Sequence, residues 1–254
     1  MPPTLAETCI VACAESWRGD GEILASAIGV IPRIAAGVAR MTFAPDLLVT
    51  DGEATLVATP VPVGERETAP VAESWMPFRR VFDTLWSGRR HVLMGAAQVD
   101  RYGSTNIASV GGTPQHPTRQ LLGMRGAPGN TISHACSFWI PSHRERVFVE
   151  RVDVVSGAGY DPAMWDAGVN RSFHEVRRIV TNMAVLDFLT PQRTMRVRSL
   201  HPGVTLEQVQ ANTGFPLDVA EDLTVTRLPT DEELVLIREL LDPTGRRNAE
   251  VRDA

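Results

Sequence analysis

His91-Val92-Leu93-Met94-Gly95-Ala96-Ala97 runs without a break into Gln98-Val99-Asp100-Arg101-Tyr102-Gly103-Ser104-Thr105-Asn106. The first half is short and apolar, as expected of a strand covered on both faces. The second half is a dense polar cluster punctuated by a glycine. A buried strand that opens at its carboxyl end into polar residues is the pattern of an open α/β sheet, where ligands collect at that edge. Asp100, Tyr102, Gly103 and Asn106 are therefore candidates to line a pocket. The competing reading is a turn in which Asp100 and Asn106 satisfy backbone groups.

Working outward toward the N-terminus, Thr4–Trp17 has helical spacing, with Leu5, Cys9, Ile10, Cys13 and Trp17 on one face. Ile23–Gly29 and Leu47–Thr50 read as buried strands separated by a second helix. Thr59–Ala72 is a proline-rich loop, and Glu73–Trp86 an amphipathic helix with Phe78, Val81, Phe82 and Leu85 as its core stripe. Toward the C-terminus, Val147–Val155 and Arg177–Leu189 carry the β-branched residues of further strands. Thr205…Gln208 and Thr230…Glu233 are capping boxes that open short helices. Helix-period and strand-like runs alternate through the first half, which predicts an α/β fold. The expected architecture is an open, mostly parallel sheet with helices on both faces and some antiparallel edge, in one domain over 1–254.

Two further segments carry chemistry. Gly123-Met124-Arg125-Gly126-Ala127-Pro128-Gly129-Asn130 precedes a helix expected at Thr131-Ile132-Ser133. Small residues at Gly126, Ala127 and Gly129 let backbone approach a ligand, and free N–H groups at a helix start stabilise anions, with Asn130 beside them. A purely structural turn is the alternative. Asp51-Gly52-Glu53 follows the Leu47–Thr50 strand, and its two carboxylates make Asp51 and Glu53 candidate nucleophile or base. Asp-Gly is also a strong hairpin signal. His134 and Cys136 lack a second pair at zinc spacing, so no metal site is expected. Cys9 and Cys13 read as core.

Composition bounds the rest. The chain has 254 residues, 43% of them hydrophobic, a net charge of −5, and 25 basic residues, every one of them Arg. Without Lys there is no Schiff-base chemistry and no P-loop of the G-x-x-x-x-G-K-[ST] form. A slightly acidic chain with no basic block argues against nucleic acid as a partner. An odd count of three Cys, no signal-like N-terminus and no long apolar run lead to the expectation of a cytoplasmic protein off the membrane.

In order and spacing, these segments resemble the beta subunit of the class I CoA-transferase family (the NagB/RpiA-like fold). The resemblance rests on Ala44-Pro45-Asp46 before a strand, and on Gly95–Asn106, which is similar to the family's G-x-x-Q-[VI]-D-x-[YF]-G-N-x-N. It continues through the Gly-rich segment ending at Asn130, His201-Pro202-Gly203-Val204-Thr205, Asn212-Thr213-Gly214-Phe215, and Ile237-Arg238 with Leu241-Asp242-Pro243. It implies a paired alpha subunit, a heterotetramer, and work on CoA thioesters, with CoA as part of the substrate and no cofactor. Family transferases attack with a glutamate in an E-[SN]-G setting; here that place reads Asp51-Gly52-Glu53. The chain thus looks more like an actinobacterial subgroup of the family that hydrolyses the last steroid ring in cholesterol catabolism. In that subgroup a glutamate of the alpha subunit is expected to act as acid/base. A covalent CoA-transferase subunit and a non-catalytic partner subunit are the alternatives. Arg101, Arg119 and Arg125 flank the motifs and are candidates for CoA phosphates.

Overall fold

Thr4 starts the first helix, α1 (Leu5–Ala14), by a capping box: its hydroxyl accepts from Glu7 N–H and its own N–H donates to the Glu7 carboxylate, 2.9 Å. The computed structural model describes residues 1–52, 54–64, 70–113, 115–166 and 168–251. The contacts divide the chain into two units, Met1–Met94 with Thr226–Ala254, and Gly95–Val225.

In the first unit, Cys9, Ile10, Cys13 and Trp17 are wholly buried, so both cysteines are core residues as their spacing suggests. Strand β1 (Leu24–Ala27) leads through Gly29, at φ +123°, into α2 (Val30–Met41). The Leu47–Thr50 segment is extended and bridges β1 in parallel, Leu48 beside Leu24, without forming a longer ladder. Strands β2 (Thr55–Val57) and β3 (Ala72–Trp75) form a small antiparallel pair.

Helix α3 (Phe78–Trp86) corrects the sequence reading. It has no buried residue, and Phe78 and Trp86 are 77% and 66% exposed. Helical period shows that a helix has an apolar face, not that anything in its own chain covers it. Strand β4 (Arg90–Met94) pairs in parallel with β1 and stops at Met94, short of the expected Ala97.

The second unit opens with two hairpins, β5 (Gln98–Val99) with β6 (Thr105–Asn106), then β7 (Ser109–Gly112) with β8 (Pro117–Gln120). Helix α4 (Ala127–Ser133) starts four residues earlier than expected, because Gly126 rather than Asn130 is its cap. Five strands follow in spatial and chain order: β9 (Ala135–Ile140), β10 (Glu175–Thr181), β11 (Ala184–Asp187), β12 (Arg196–Leu200) and β13 (Asp218–Val225). A short helix, α5 (Leu206–Ala211), links the last two. The outer pairs are parallel and the two pairs made by β11 antiparallel. The α/β class with mostly parallel strands and an antiparallel part is therefore as expected.

Val147–Val155 is not a strand. Val147 and Phe148 N–H both donate to the Arg144 carbonyl, so the chain turns, and Phe148 alone bridges to Val99. The Thr213 of the N-T-G-F motif is a brace: its hydroxyl meets His143 Nε2 at 3.0 Å, and Thr181 holds the other ring nitrogen. Burial pushes the His143 imidazole down to about 3, so it stays neutral.

The C-terminal residues complete the first unit with α6 (Asp231–Val235), a π-helical turn (Leu236–Leu241) and α7 (Arg247–Glu250). The expected capping boxes at Thr205 and Thr230 are both formed. Glu250 accepts from Val30 and Ile31 N–H and so caps α2 from a distant part of the chain. Among the described residues, no helix is long and apolar enough to cross a membrane.

Candidate functional site

The polar cluster after β4 folds as a tight hairpin, and its residues face inward. Asp100 is 6% exposed, and one of its carboxylate oxygens accepts from Tyr102 and Ser104 N–H at 3.0 and 2.9 Å. Burial pushes the Asp100 carboxyl up to about 6, against the pull of those two N–H groups. Gly103 sits at φ +81°, and a Cβ there would lie 2.7 Å from the Phe188 ring. Asn106 is fully buried; its amide donates to Gln98 Oε1 and the Ser109 carbonyl, and its oxygen accepts from Ala108 N–H. Asp100 and Asn106 thus satisfy protein groups, while Tyr102 remains half-buried beside the Arg101 guanidinium.

The glycine-rich stretch behaves differently. Arg125 adopts a left-handed φ of +48° and turns the chain into α4. Ala127 N–H is taken by the Met124 carbonyl, and Pro128 has no N–H to offer. Gly126 and Gly129 are exposed with open space where a side chain would be, and among the described residues their N–H groups donate to no protein acceptor. They are the available donors at this helix start. Asn130 turns its side-chain oxygen to His134 Nε2, 3.3 Å away.

A segment that the sequence reading passed over joins these two parts. Ser156-Gly157-Ala158-Gly159-Tyr160 threads between the hairpin and α4. Gly157 pairs with Thr105 on both backbone sides, and a Cβ on it would strike Thr105 at 2.6 Å and Thr131 at 2.9 Å. Ala158 N–H donates to the Thr131 hydroxyl, while Tyr160 N–H donates to the Tyr102 carbonyl at 2.8 Å. His174 Nδ1 donates to the Thr131 carbonyl at 2.6 Å, and burial lowers its pKa, keeping it neutral. The only local signal was two glycines one residue apart, which is common in loops.

In the first unit, Asp51 and Gly52 form the turn between the Leu47–Thr50 segment and β2. Asp51 N–H donates to the Thr55 carbonyl, and its carboxylate accepts from Thr55 N–H at 3.3 Å. Gly52 has φ +98° and nothing within 4 Å of a Cβ position. A cavity of about 50 Å³ adjoins the turn, with Arg33, Thr50 and Gly52 in its wall. Glu53 lies outside the described residues. Among the described residues, no group of three or more His, Cys, Asp and Glu is placed to hold a metal.

The Coenzyme A transferase family model matches residues 14–212. The chain belongs to the coenzyme A transferase family. Within it, the chain is 52% identical over 248 residues to the cholesterol ring-cleaving hydrolase IpdB subunit of Rhodococcus jostii, covering 98% of this chain and 96% of that protein. It is 31% identical over 245 residues to a 3-oxoadipate CoA-transferase subunit of Pseudomonas knackmussii, 92% of each chain. The crystal structure of Rhodococcus jostii IpdAB superposes with a TM-score of 0.91 at 51% identity, covering 98% of this chain and 99% of that one. The coenzyme A transferase fold expected from the motifs is therefore the fold of the chain.

Proposed function

We propose that this chain is the beta-type subunit of a hydrolase that opens a six-membered ring carried as a CoA thioester, the last steroid ring of cholesterol. The observation that carries the reading is the contrast between 52% identity to a ring-cleaving hydrolase subunit and 31% to a transferase subunit, each over nearly the whole chain. The absence of an E-[SN]-G glutamate at Asp51-Gly52-Glu53 points the same way. The chain works with an alpha subunit of the same family in a heterotetramer, in the cytoplasm. CoA enters as part of the substrate, and no cofactor takes part.

The chemistry follows from the groups available. Water gives up a proton to an acid/base carboxylate as it adds to the ring carbonyl carbon, forming a C–O bond and an alkoxide; that carboxylic acid later returns the proton to carbon. Collapse of that alkoxide breaks the adjacent C–C bond and passes the electron pair to the carbon next to the thioester. The charge rests on the thioester oxygen as an enolate until the carbon takes a proton, leaving a new carboxylic acid. Gly126 and Gly129 N–H groups, which among the described residues have no protein acceptor, are suited to that oxygen. In the first unit Asp51 or Glu53 is the candidate to orient water; in the second, Asp100, Tyr102, Gly103, Asn106, Ala127 and Asn130 are the candidates to bind the CoA thioester.

The test is turnover of a cyclic 2-en-6-one carboxyl-CoA in ¹⁸O-water by this chain co-produced with its alpha subunit. One ¹⁸O in the new carboxylate supports the reading. CoA passed to an acceptor acid, with a glutamyl thioester on this chain trapped by borohydride, replaces it with a transferase. A second reading, a non-catalytic partner subunit, is favoured by the inward hydrogen bonds of Asp100 and Asn106. It predicts that Asp51→Ala and Asn130→Ala leave turnover within a fewfold of wild type.

A further inference from the structure

Arg33 and Arg40 lie two turns apart along one stripe of α2 and meet different fates. The Arg40 guanidinium donates to the Pro45 and Leu47 carbonyls and pairs with Glu73 at 2.9 Å. Arg33 is half-buried, and among the described residues its guanidinium has no hydrogen bond and no ion pair. A charged side chain drawn partly out of water without a partner gives up hydration and gains nothing in exchange.

Arg33 stands in the wall of the cavity of about 50 Å³ beside the Asp51–Gly52 turn. The cavity lies at the carboxyl ends of β1 and of the Leu47–Thr50 segment that bridges it in parallel, the edge where open α/β sheets collect ligands. Small side chains line it, Ala25 and Ala27 from β1, Ala36 and Gly37 from α2. At roughly 10–15 Å³ for each water, the room suits a group of about three heavy atoms rather than a ring or a nucleotide. The start of α2 is not itself the anion site. Glu250 takes Val30 and Ile31 N–H, Pro32 has none, and Arg33 N–H donates to the Gly29 carbonyl. The positive group left at this cavity is the Arg33 side chain. Thr50, also in the wall, accepts from Gly52 N–H at 3.2 Å, and among the described residues its own hydroxyl proton goes to no acceptor.

We propose that Arg33 binds the carboxylate made when the ring opens, and the alkoxide that precedes it, with the Thr50 hydroxyl as a second donor. The inference rests on the ring-hydrolase reading above, in which Asp51 or Glu53 orients the water, and adds the group that receives the charge. The ring carbonyl oxygen becomes negative when water adds and its proton passes to the acid/base carboxylate. Collapse of that alkoxide breaks the C–C bond, and the carboxylic acid it leaves ionises by giving its proton to solvent. The oxygen is thus charged before bond cleavage and again after it. A guanidinium stays charged and presents paired N–H donors to two oxygens, so it favours these anions over the neutral ring ketone.

The experiment uses this chain co-produced with its alpha subunit. Turnover of a cyclic 2-en-6-one carboxyl-CoA is followed, and the ring-opened acid and its carboxamide analogue are each measured as competitive inhibitors. Wild type should bind the acid about tenfold tighter than the carboxamide. Arg33→Gln should lower kcat about a hundredfold, the scale for losing a donor to developing charge, and should erase the preference for the acid. Both analogues carry the same CoA, so a loss of affinity equal for the two would place Arg33 on phosphate and overturn the inference. Arg33→Lys, which keeps the charge without the fork, should restore part of both effects. The melting temperature of Arg33→Gln should match or exceed that of wild type, because the guanidinium has no partner in the chain to lose. Should Arg33→Gln fail to fold, the wild-type preference decides, and equal binding of acid and carboxamide overturns the inference. An Arg33→Gln enzyme with wild-type turnover and acid preference also overturns it and leaves the ring-hydrolase reading standing. A wild-type complex that does not open the ring overturns both.

Discussion

Two turns in this protein look alike in sequence and differ in what surrounds them. Asp51-Gly52 and Asp100-Arg101-Tyr102-Gly103 each follow an extended apolar segment, and each puts a glycine at positive φ, +98° and +81°. Around Gly52 there is open space, and Asp51 accepts from Thr55 N–H at 3.3 Å. Around Gly103 there is the Phe188 ring, and Asp100 is buried on two backbone N–H groups. The first turn places Thr50 and Gly52 in the wall of a small cavity, next to the Asp51 carboxylate in sequence. The second uses its carboxylate to keep a hairpin in shape. An aspartate beside a glycine is thus a catalytic candidate or a brace according to the space around it.

The sharpest way to break the comparison is Gly103→Ala. A methyl 2.7 Å from a packed ring, on a backbone of positive φ, should cost about 3 kcal/mol, read from urea unfolding. The matched change at the open turn, Gly52→Ala, carries only the backbone penalty of about 1 kcal/mol. Equal costs would mean that the two turns are not different in kind.

Activity should separate the pair in the opposite direction. Asp51→Asn should lower kcat about a hundredfold, the usual scale for removing a general base, with little change in the unfolding midpoint. Asp100→Asn should leave kcat within a fewfold.

The pH dependence of stability is a smaller but cleaner probe. The folded pKa of Asp100, about 6, lies above the usual carboxylate value of 3.8, so folding favours its protonated form. That contribution is fully present below pH 3.8 and is lost as pH rises through 6, amounting to about 2–3 kcal/mol. Wild type should therefore lose stability relative to Asp100→Asn between pH 4 and 7. A flat difference across that window would show that the carboxylate is not buried as described. Glu7 supplies the internal contrast. Burial would raise its carboxyl, but Arg238 and the Thr4 N–H hold it at about 2, so its contribution is present above pH 4.5 and fades as pH falls toward 2. Glu7→Gln should flatten only that acid limb.

Much of the fold was legible because it is written in short-range rules. α1, the capping boxes at Thr205 and Thr230, and the paired strands from Glu175 to Asp187 depend on residues within a turn or on simple alternation. The readings that failed needed a distant partner. The aromatic face of α3 has helical spacing, but no neighbour among the described residues buries it. Val147–Val155 has the composition of a strand and makes one bridge only. The site divides along the same line. Its motifs were visible, yet the Ser156–Tyr160 segment that unites them was not, since its glycines gain meaning only from Thr105, Thr131 and Ser104 packed against them.

The sequence by itself determined the α/β class, the capped helix starts at Thr205 and Thr230, the family and the set of residues with chemistry to offer, because propensity, capping and motif order are local. Only the tertiary structure decided which polar groups are committed and which are available. Asp100 is closed in by its own turn, and Asn106 by Gln98 and Ser109, while among the described residues no protein acceptor takes the Gly126 and Gly129 N–H groups. Hydrogen-bonding capacity is finite, and the competitor for each group can lie anywhere along the chain.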